Sequence, residues 1–97
     1  STAILAGNDF CALKILALMR KKGYEVPEDV GLAGFDDIDF LECVTPGITT
    51  VKYPINEVGS FTVDLLIKKI EGAKVPVWNI MSYEIMNRDS LHKEETP

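Results

Sequence analysis

The sequence predicts an α/β domain of three layers, α/β/α, with a mainly parallel sheet, and three observations carry that prediction. Two short apolar runs, Thr2 to Ala6 and Val30 to Phe35, end in the turn-forming residues Gly7 and Asp36-Asp37. Continuous apolar runs of this length mark strands covered on both faces. Between them, helix-forming residues extend from Phe10 to Lys22. Strand, helix and strand in that order make a βαβ unit, whose strands run parallel with a right-handed crossover.

Each element has its own local cause. Asn8 and Asp9 precede the first helix, and either side chain can cap it by accepting a backbone N–H. Arg20, Lys21 and Lys22 face the negative end of its dipole, and Gly23 stops it. Along this helix Phe10, Ala12, Leu13, Ile15, Leu16, Ala17, Leu18 and Met19 cover far more than an apolar stripe of about 100°. That girth suits either a central helix between two layers or a helix shared between a sheet and a second copy of the chain. Val26-Pro27-Glu28-Asp29 forms a turn before the second strand.

Residues 38–48 show no steady period, and Thr45-Pro46-Gly47 punctuate them as a loop, with one helical turn around Asp39 to Cys43. Ile48-Thr49-Thr50-Val51 is β-branched and therefore extended. Asn56 caps a second helix that reaches Ile70, with Lys68-Lys69 near its end and Gly72 beyond. Gly59, Val63, Leu66, Ile67 and Ile70 fall along one side of it, with Phe61 and Leu65 alongside. After a connector from Ala73 to Pro76, Val77 to Met86 alternates as a last strand. Met81, Tyr83 and Ile85 share one face, and Ile80, Ser82 and Glu84 the other. Trp78 and Tyr83 read as packing residues, Met19, Met81 and Met86 as core filler, and the tail from His92 to Pro97 as charged and frayed.

Composition narrows the function. Ninety-seven residues with 46% apolar and 26% charged side chains describe one folded domain. A chain of this size buries only roughly 60–65% of its unfolded surface, so an exposed apolar face should recruit a partner. The net charge of −5 supplies no positive field to gather phosphates, which argues against nucleic acid as a direct partner. The absence of an apolar run of about 18 residues and of a signal-peptide pattern at Ser1-Thr2-Ala3 argues against membrane insertion and export. Cys11 and Cys43 lack the density of a disulfide framework. With His92 they are too few for a tetrahedral zinc site, so a reducing cytoplasm is expected and no cofactor is implied.

In a parallel sheet the loops leaving the carboxyl ends of the strands collect on one edge, where ligands bind. Gly7-Asn8-Asp9 and Asp36-Asp37 leave the two strands there, bringing an amide and several carboxylates together. Such a set suits a ligand dense in hydroxyl groups. The plainer readings stand beside it: helix capping for Asn8 or Asp9, and an Asx-type turn for Asp36-Asp37. Mg²⁺ held by Asp9, Asp36 and Asp37 is a further alternative. Acid/base catalysis lacks a nucleophile or a histidine beside these carboxylates, so the chain is not expected to be an enzyme.

The ordered stretches Ala3 to Asp9 with Ala12, Gly23 to Val30, Gly34-Phe35-Asp36-Asp37, Thr45 to Val51 and Arg88-Asp89-Ser90 resemble the LacI/GalR family of bacterial transcription regulators. The resemblance covers nearly the whole chain. It implies the last third or so of such a regulator, an incomplete piece of its effector-binding and dimerisation core, with the fold of periplasmic sugar-binding proteins. On that pattern residues 1–47 and 77–91 belong to the C-terminal subdomain, and residues 52–72 supply a helix of the N-terminal subdomain.

The same resemblance implies that Asn8 and Asp36 contact a small-molecule effector, often a sugar, and that Tyr53 lines the cleft. It also implies that Phe10, Leu13 and Ala17 of the first helix, with Val44, join a dimer interface. Self-association is therefore expected. The family's helix-turn-helix is not among these residues, so DNA would be contacted only through an N-terminal domain of the parent protein. Gly47 stands where the family usually carries a bulkier residue. A transport-type periplasmic sugar-binding protein shares the fold and remains the alternative.

Overall fold

The computed structural model describes residues 2–91, and the charged tail from His92 onward lies outside the described residues. In chain order the elements are β1 (Ala3–Leu5), α1 (Asp9–Lys21), β2 (Gly31–Ala33), a 3-10 turn at Leu41–Cys43, β3 (Thr50–Lys52), α2 (Ile55–Ile70) and β4 (Glu84–Met86). β1 and β2 pair in parallel, with Ala3 opposite Gly31, Ile4 opposite Leu32 and Leu5 opposite Ala33. The βαβ unit expected from the two apolar runs is therefore present.

The parallel pattern continues sideways through bridges from Ala33 to Thr49 and from Asp36 to Lys52. There the Gly34 N–H donates to the Thr49 carbonyl at 2.8 Å and the Asp36 N–H to the Val51 carbonyl at 3.0 Å. β4 closes this edge antiparallel to β3, with Thr50 opposite Met86 and Lys52 opposite Glu84.

α1 ends because Gly23 takes a φ of +84°, a left-handed conformation that a Cβ disfavours. Its neighbour Tyr24 then donates back to the Met19 carbonyl at 2.9 Å, and Gly23 itself to the Arg20 carbonyl at 3.1 Å. Together these two bonds satisfy carbonyls that the helix leaves open. The same pair of bonds closes α2 at Gly72 and Ala73.

The contacts divide the chain into two units. One runs to Lys52 and resumes at Glu84, and the other is Tyr53–Tyr83. The first holds the core, made of Ala6, Ala12, Leu16, Val26, Leu32, Leu41 and Ile48, with Ile4, Leu13, Ile15, Met19, Ile38 and Val44 packed against it. α1 turns Ala12 and Leu16, one helical turn apart, into this core while Phe10 is 64% exposed and Leu18 is exposed beside it. One layer therefore covers one side of α1, and the broad apolar girth seen in the sequence is only half used.

In the second unit α2 contains no buried residue. Val63, Leu66, Ile67 and Ile70 are exposed, as are Ile55 and Phe61 on its flanks. Regular strand at the end of the chain is confined to Glu84–Met86, against the expected Val77 to Met86. The cause is the length of the partner: β3 ends at Lys52, opposite Glu84, so residues before Glu84 have no β3 residue to pair with. Trp78 and Tyr83 are accordingly exposed rather than packed at strand positions.

Two measurements follow. Leu32→Ala removes a side chain that is 1% exposed at the centre of a thin core. The cost should be about 2–5 kcal/mol, much of the stability of a domain this small, and urea titration should show the midpoint collapse. The apolar surface on α1 and α2 should drive self-association. Multi-angle light scattering is expected to give a mass above that of one chain, and a monomer persisting at high concentration would contradict this.

Candidate functional site

β1 delivers Gly7, Asn8 and Asp9 to the carboxyl edge of the parallel pair. Asn8 is extended, with φ −157° and ψ 174°, and its Oδ1 accepts the Cys11 N–H at 2.9 Å, making it the N-cap of α1. A carboxamide carries two N–H donors besides the oxygen used in that cap. The capping reading of Asn8 therefore holds and does not exhaust the side chain.

Asp9 does something that neither capping nor metal binding anticipated. Its side chain is 0% exposed. Oδ2 accepts the Ile38 N–H at 2.9 Å, and Oδ1 accepts the Thr50 hydroxyl at 2.7 Å. Its backbone N–H donates to the Phe35 carbonyl at 3.0 Å. The turn after β1 and the turn after β2 are thus joined by main chain and side chain alike, on one rim. Such an approach needs Gly34, where an added Cβ would collide with Asp9 Oδ1 and sit 3.3 Å from Ala12 Cβ.

Beyond Phe35 the backbone takes an unusual path. Asp36 has φ 121° and Asp37 φ 59°, both on the side that residues with a Cβ avoid. The Asp37 N–H donates to Thr50 Oγ1 at 3.3 Å, so this hydroxyl is both acceptor for Asp37 and donor to Asp9. Asp37 Oδ1 pairs with the Arg88 guanidinium at 2.9 Å, with side chains 13% and 18% exposed respectively.

Arg88 and Ser90 fasten the last stretch of chain to this edge. The other guanidinium nitrogen of Arg88 donates to the Ile48 carbonyl at 2.9 Å, and its backbone N–H to Thr49 Oγ1 at 2.9 Å. The Thr49 hydroxyl donates in turn to the Arg88 carbonyl at 2.9 Å. Buried Ser90 donates to the Leu32 carbonyl at 2.5 Å and accepts the Thr49 N–H at 2.8 Å.

Of the residues expected at a binding site, Asn8 and Asp36 lie on the two turns that meet, both half-buried. Tyr53 is the first residue of the second unit. Among the residues expected at a dimer interface, Phe10 and Ala17 are exposed on α1, while Leu13 and Val44 are half-buried against the core of their own unit. An open cleft of about 460 Å³, lined by Arg20, Tyr24, Pro27, Pro46 and Asp89 among others, shares no residue with the rim.

Sequence reasoning missed the structural role of Asp9 and the contacts of Thr50, Arg88 and Ser90. The one signal available was the tripeptide Arg88-Asp89-Ser90 itself. The Mg²⁺ reading loses its donors: Asp9 is consumed by an N–H and a hydroxyl, Asp37 by a guanidinium. Among the described residues no group of three His, Cys, Asp or Glu side chains could hold a metal ion.

Known proteins share this fold. The model of the periplasmic binding protein-like domain matches residues 1–91. The chain belongs to this family. Within it the chain is similar to the HTH-type transcriptional regulator KdgR of Bacillus subtilis, 42% identical over 90 residues that make up 92% of this chain and 26% of that protein. A solved structure of the lac repressor dimer bound to operator and the anti-inducer ONPF superposes with a TM-score of 0.81 at 27% identity, over 94% of this chain and 32% of that one. A LacI family transcriptional regulator from Enterococcus faecium with bound ribose gives a TM-score of 0.76 at 28% identity, over 98% of this chain and 36% of that one.

The LacI/GalR resemblance and the periplasmic-binding-protein-like fold are borne out. These relatives are transcriptional regulators rather than enzymes. The chain spans about a quarter of the length of KdgR and about a third of the two solved chains. Among the described residues no helix is long and apolar enough to cross a membrane.

Replacing Asp9 by Asn keeps one oxygen and puts an N–H₂ group in place of the other, so the Ile38 N–H and the Thr50 hydroxyl, which now donate to different oxygens, can no longer both be accepted. A buried donor left without an acceptor costs about 1–3 kcal/mol. The Asp9→Asn variant should lose stability by about that amount in chemical denaturation, and Asp9→Ala, which removes both acceptors, should also strip the Ile38 amide of protection from hydrogen exchange. A variant as stable as the parent chain would refute the role given to this carboxylate.

Proposed function

We propose that this chain is the C-terminal share of the effector-binding and dimerisation core of a LacI-type transcriptional repressor acting in the bacterial cytoplasm. Its effector is a sugar or a similar hydroxyl-rich small molecule, which Asn8 and Asp36 contact. The observation that carries the reading is the junction of the two turns through Asp9 and Phe35, which sets an amide and a carboxylate on one rim at the carboxyl ends of parallel strands. A neutral amide beside a carboxylate offers both donors and acceptors, as a polyhydroxyl ligand requires. The ribose in the Enterococcus faecium relative and the operator on the lac repressor support the same reading.

DNA contact would belong to a helix-turn-helix elsewhere in the parent protein, since these residues carry a net charge of −5. Phe10, Leu13 and Ala17, spaced three and four residues apart on α1, together with Val44 would supply the surface on which two copies pair. In the whole regulator, an effector that prefers one arrangement of the core shifts its population and so alters operator affinity.

Two polar contacts contribute on the order of 1–3 kcal/mol each, whereas even millimolar binding needs about 4 kcal/mol after association costs. The chain by itself should therefore bind D-ribose only in the millimolar range or more weakly. Titration followed by amide NMR should move the signals of residues 7–9 and 35–38, and Asn8→Ala combined with Asp36→Ala should abolish the response. Micromolar affinity, or shifts confined to another part of the chain, would overturn the assignment.

A further inference from the structure

We propose that Arg88 is a positioning residue for the Asp36 rim, clamping the loop at 36–38 onto the strands by which the chain leaves and re-enters its first unit. This rests on the reading of Asp36 as an effector contact. It adds what holds that contact in place and what ligand binding there would pull upon.

The loop needs holding. Two successive residues with side chains sit at φ 121° and 59°, and such backbone persists only where the surroundings over-determine it. Here three consecutive amides are each taken: Asp36 by the Val51 carbonyl, Asp37 by Thr50 Oγ1 and Ile38 by Asp9 Oδ2. The fourth tie is the half-buried ion pair from Asp37 to Arg88.

Arg88 suits the task because its guanidinium is a fork. One nitrogen holds Asp37 at 2.9 Å and another holds the Ile48 carbonyl at 2.9 Å, so one side chain fixes the loop relative to the segment entering β3. The Arg88 backbone is itself locked to Thr49 in both directions, and Arg88 stands two residues after the end of β4. Gly47 lets the aliphatic stem lie close: a Cβ there would sit 3.2 Å from Arg88 Cδ. A side chain at position 47 would have to push the Arg88 stem aside.

β3 ends at Lys52, where the chain passes into the second unit, and β4 begins at Glu84, where it returns. A ligand drawing on Asp36 therefore acts, through Asp37 and Arg88, on the ends of β3 and β4 that lie inside the first unit, opposite the ends that make the two connections. By reciprocity, whatever shifts those strands changes the affinity at Asp36.

The test compares the chain with Arg88→Lys and Arg88→Met. Lysine keeps the charge and most of the stem but gathers its donors on one nitrogen and lacks the planar fork whose two nitrogens reach Asp37 and Ile48 separately, and methionine keeps only an apolar stem. In both variants the strong intraresidue amide–Hα cross-peaks that mark positive φ at Asp36 and Asp37 should weaken. Exchange of the Ile38 amide should accelerate about tenfold or more, while Leu16 in α1 stays within about twofold of the parent. D-ribose should then shift the Asp36 signal with roughly five- to tenfold weaker affinity. Should Arg88→Met fail to fold, Arg88→Lys decides.

Unchanged cross-peaks and Ile38 exchange in Arg88→Lys would overturn the proposal, as would equal acceleration at Leu16 and Ile38, which would mark Arg88 as merely stabilising. If D-ribose moves neither Asn8 nor Asp36 in the parent chain, the effector reading fails instead, and the cross-peaks and exchange still judge the clamp.

Discussion

A carboxylate sealed from water at the first turn of α1 is the constraint on which the polar edge of this protein depends. Burying such a group is costly unless its oxygens are matched by donors. Asp9 meets that condition with a backbone N–H on one oxygen and a hydroxyl on the other, and it sits where the helix dipole favours negative charge. Because its two donors come from 29 and 41 residues away, the price of burying it is also what fixes three separate segments relative to one another. Gly34 belongs to the same constraint, since no larger residue would let the carboxylate close on β2.

The apolar core alone would not hold these segments so closely. Seven buried apolar residues, two of them alanine, make a thin core for the first unit. The remaining order at the carboxyl edge comes from Asp9, Thr49, Thr50 and Ser90, the buried polar residues among those described, each bonded to a partner from another segment. None of the buried side-chain nitrogen or oxygen atoms among the described residues lacks a partner. A network satisfied in this way rigidifies, whereas a half-satisfied one would be worse than an apolar core. The exposed apolar faces of α1 and α2 accord with a chain that spans only a quarter to a third of the relatives it matches.

How far the sequence disclosed this follows from the range of each interaction. β1, α1 and β2 were legible because buried runs, helix formers and stop signals act within a few residues, and Gly23 and Gly72 close the helices as expected. The meeting of the two turns was legible from the parallel topology. The division of labour between Asn8 and Asp9 was not. Both are good caps, and only the arrival of Thr50 and Ile38 decides that Asn8 caps while Asp9 is buried. The backbone at Asp36 and Asp37 was only partly legible: an aspartate tolerates the left-handed region that Asp37 takes, whereas φ 121° at Asp36 runs against local propensity and is held by tertiary bonds. The last strand was overestimated since alternation in residues 77–83 records side-chain character, while strand length is set by the partner, and β3 is three residues long.

The tripeptide Arg88-Asp89-Ser90 shows how a short signature acquires meaning from geometry. Just beyond β4, where the chain turns, Arg88 is half-buried and Ser90 buried while Asp89 between them is exposed. Arg88 reaches Asp37 and Ile48, and Ser90 reaches Leu32 and Thr49, so the two inward side chains bind different neighbours of the same edge. Serine fits because its single hydroxyl can donate to the Leu32 carbonyl while accepting from the Thr49 N–H, which alanine could do in neither direction. Arginine fits because its donors diverge within one plane, one nitrogen toward Asp37 and the other toward Ile48. Through these two side chains the returning chain is tied both to β2 and to the loop at 36–38.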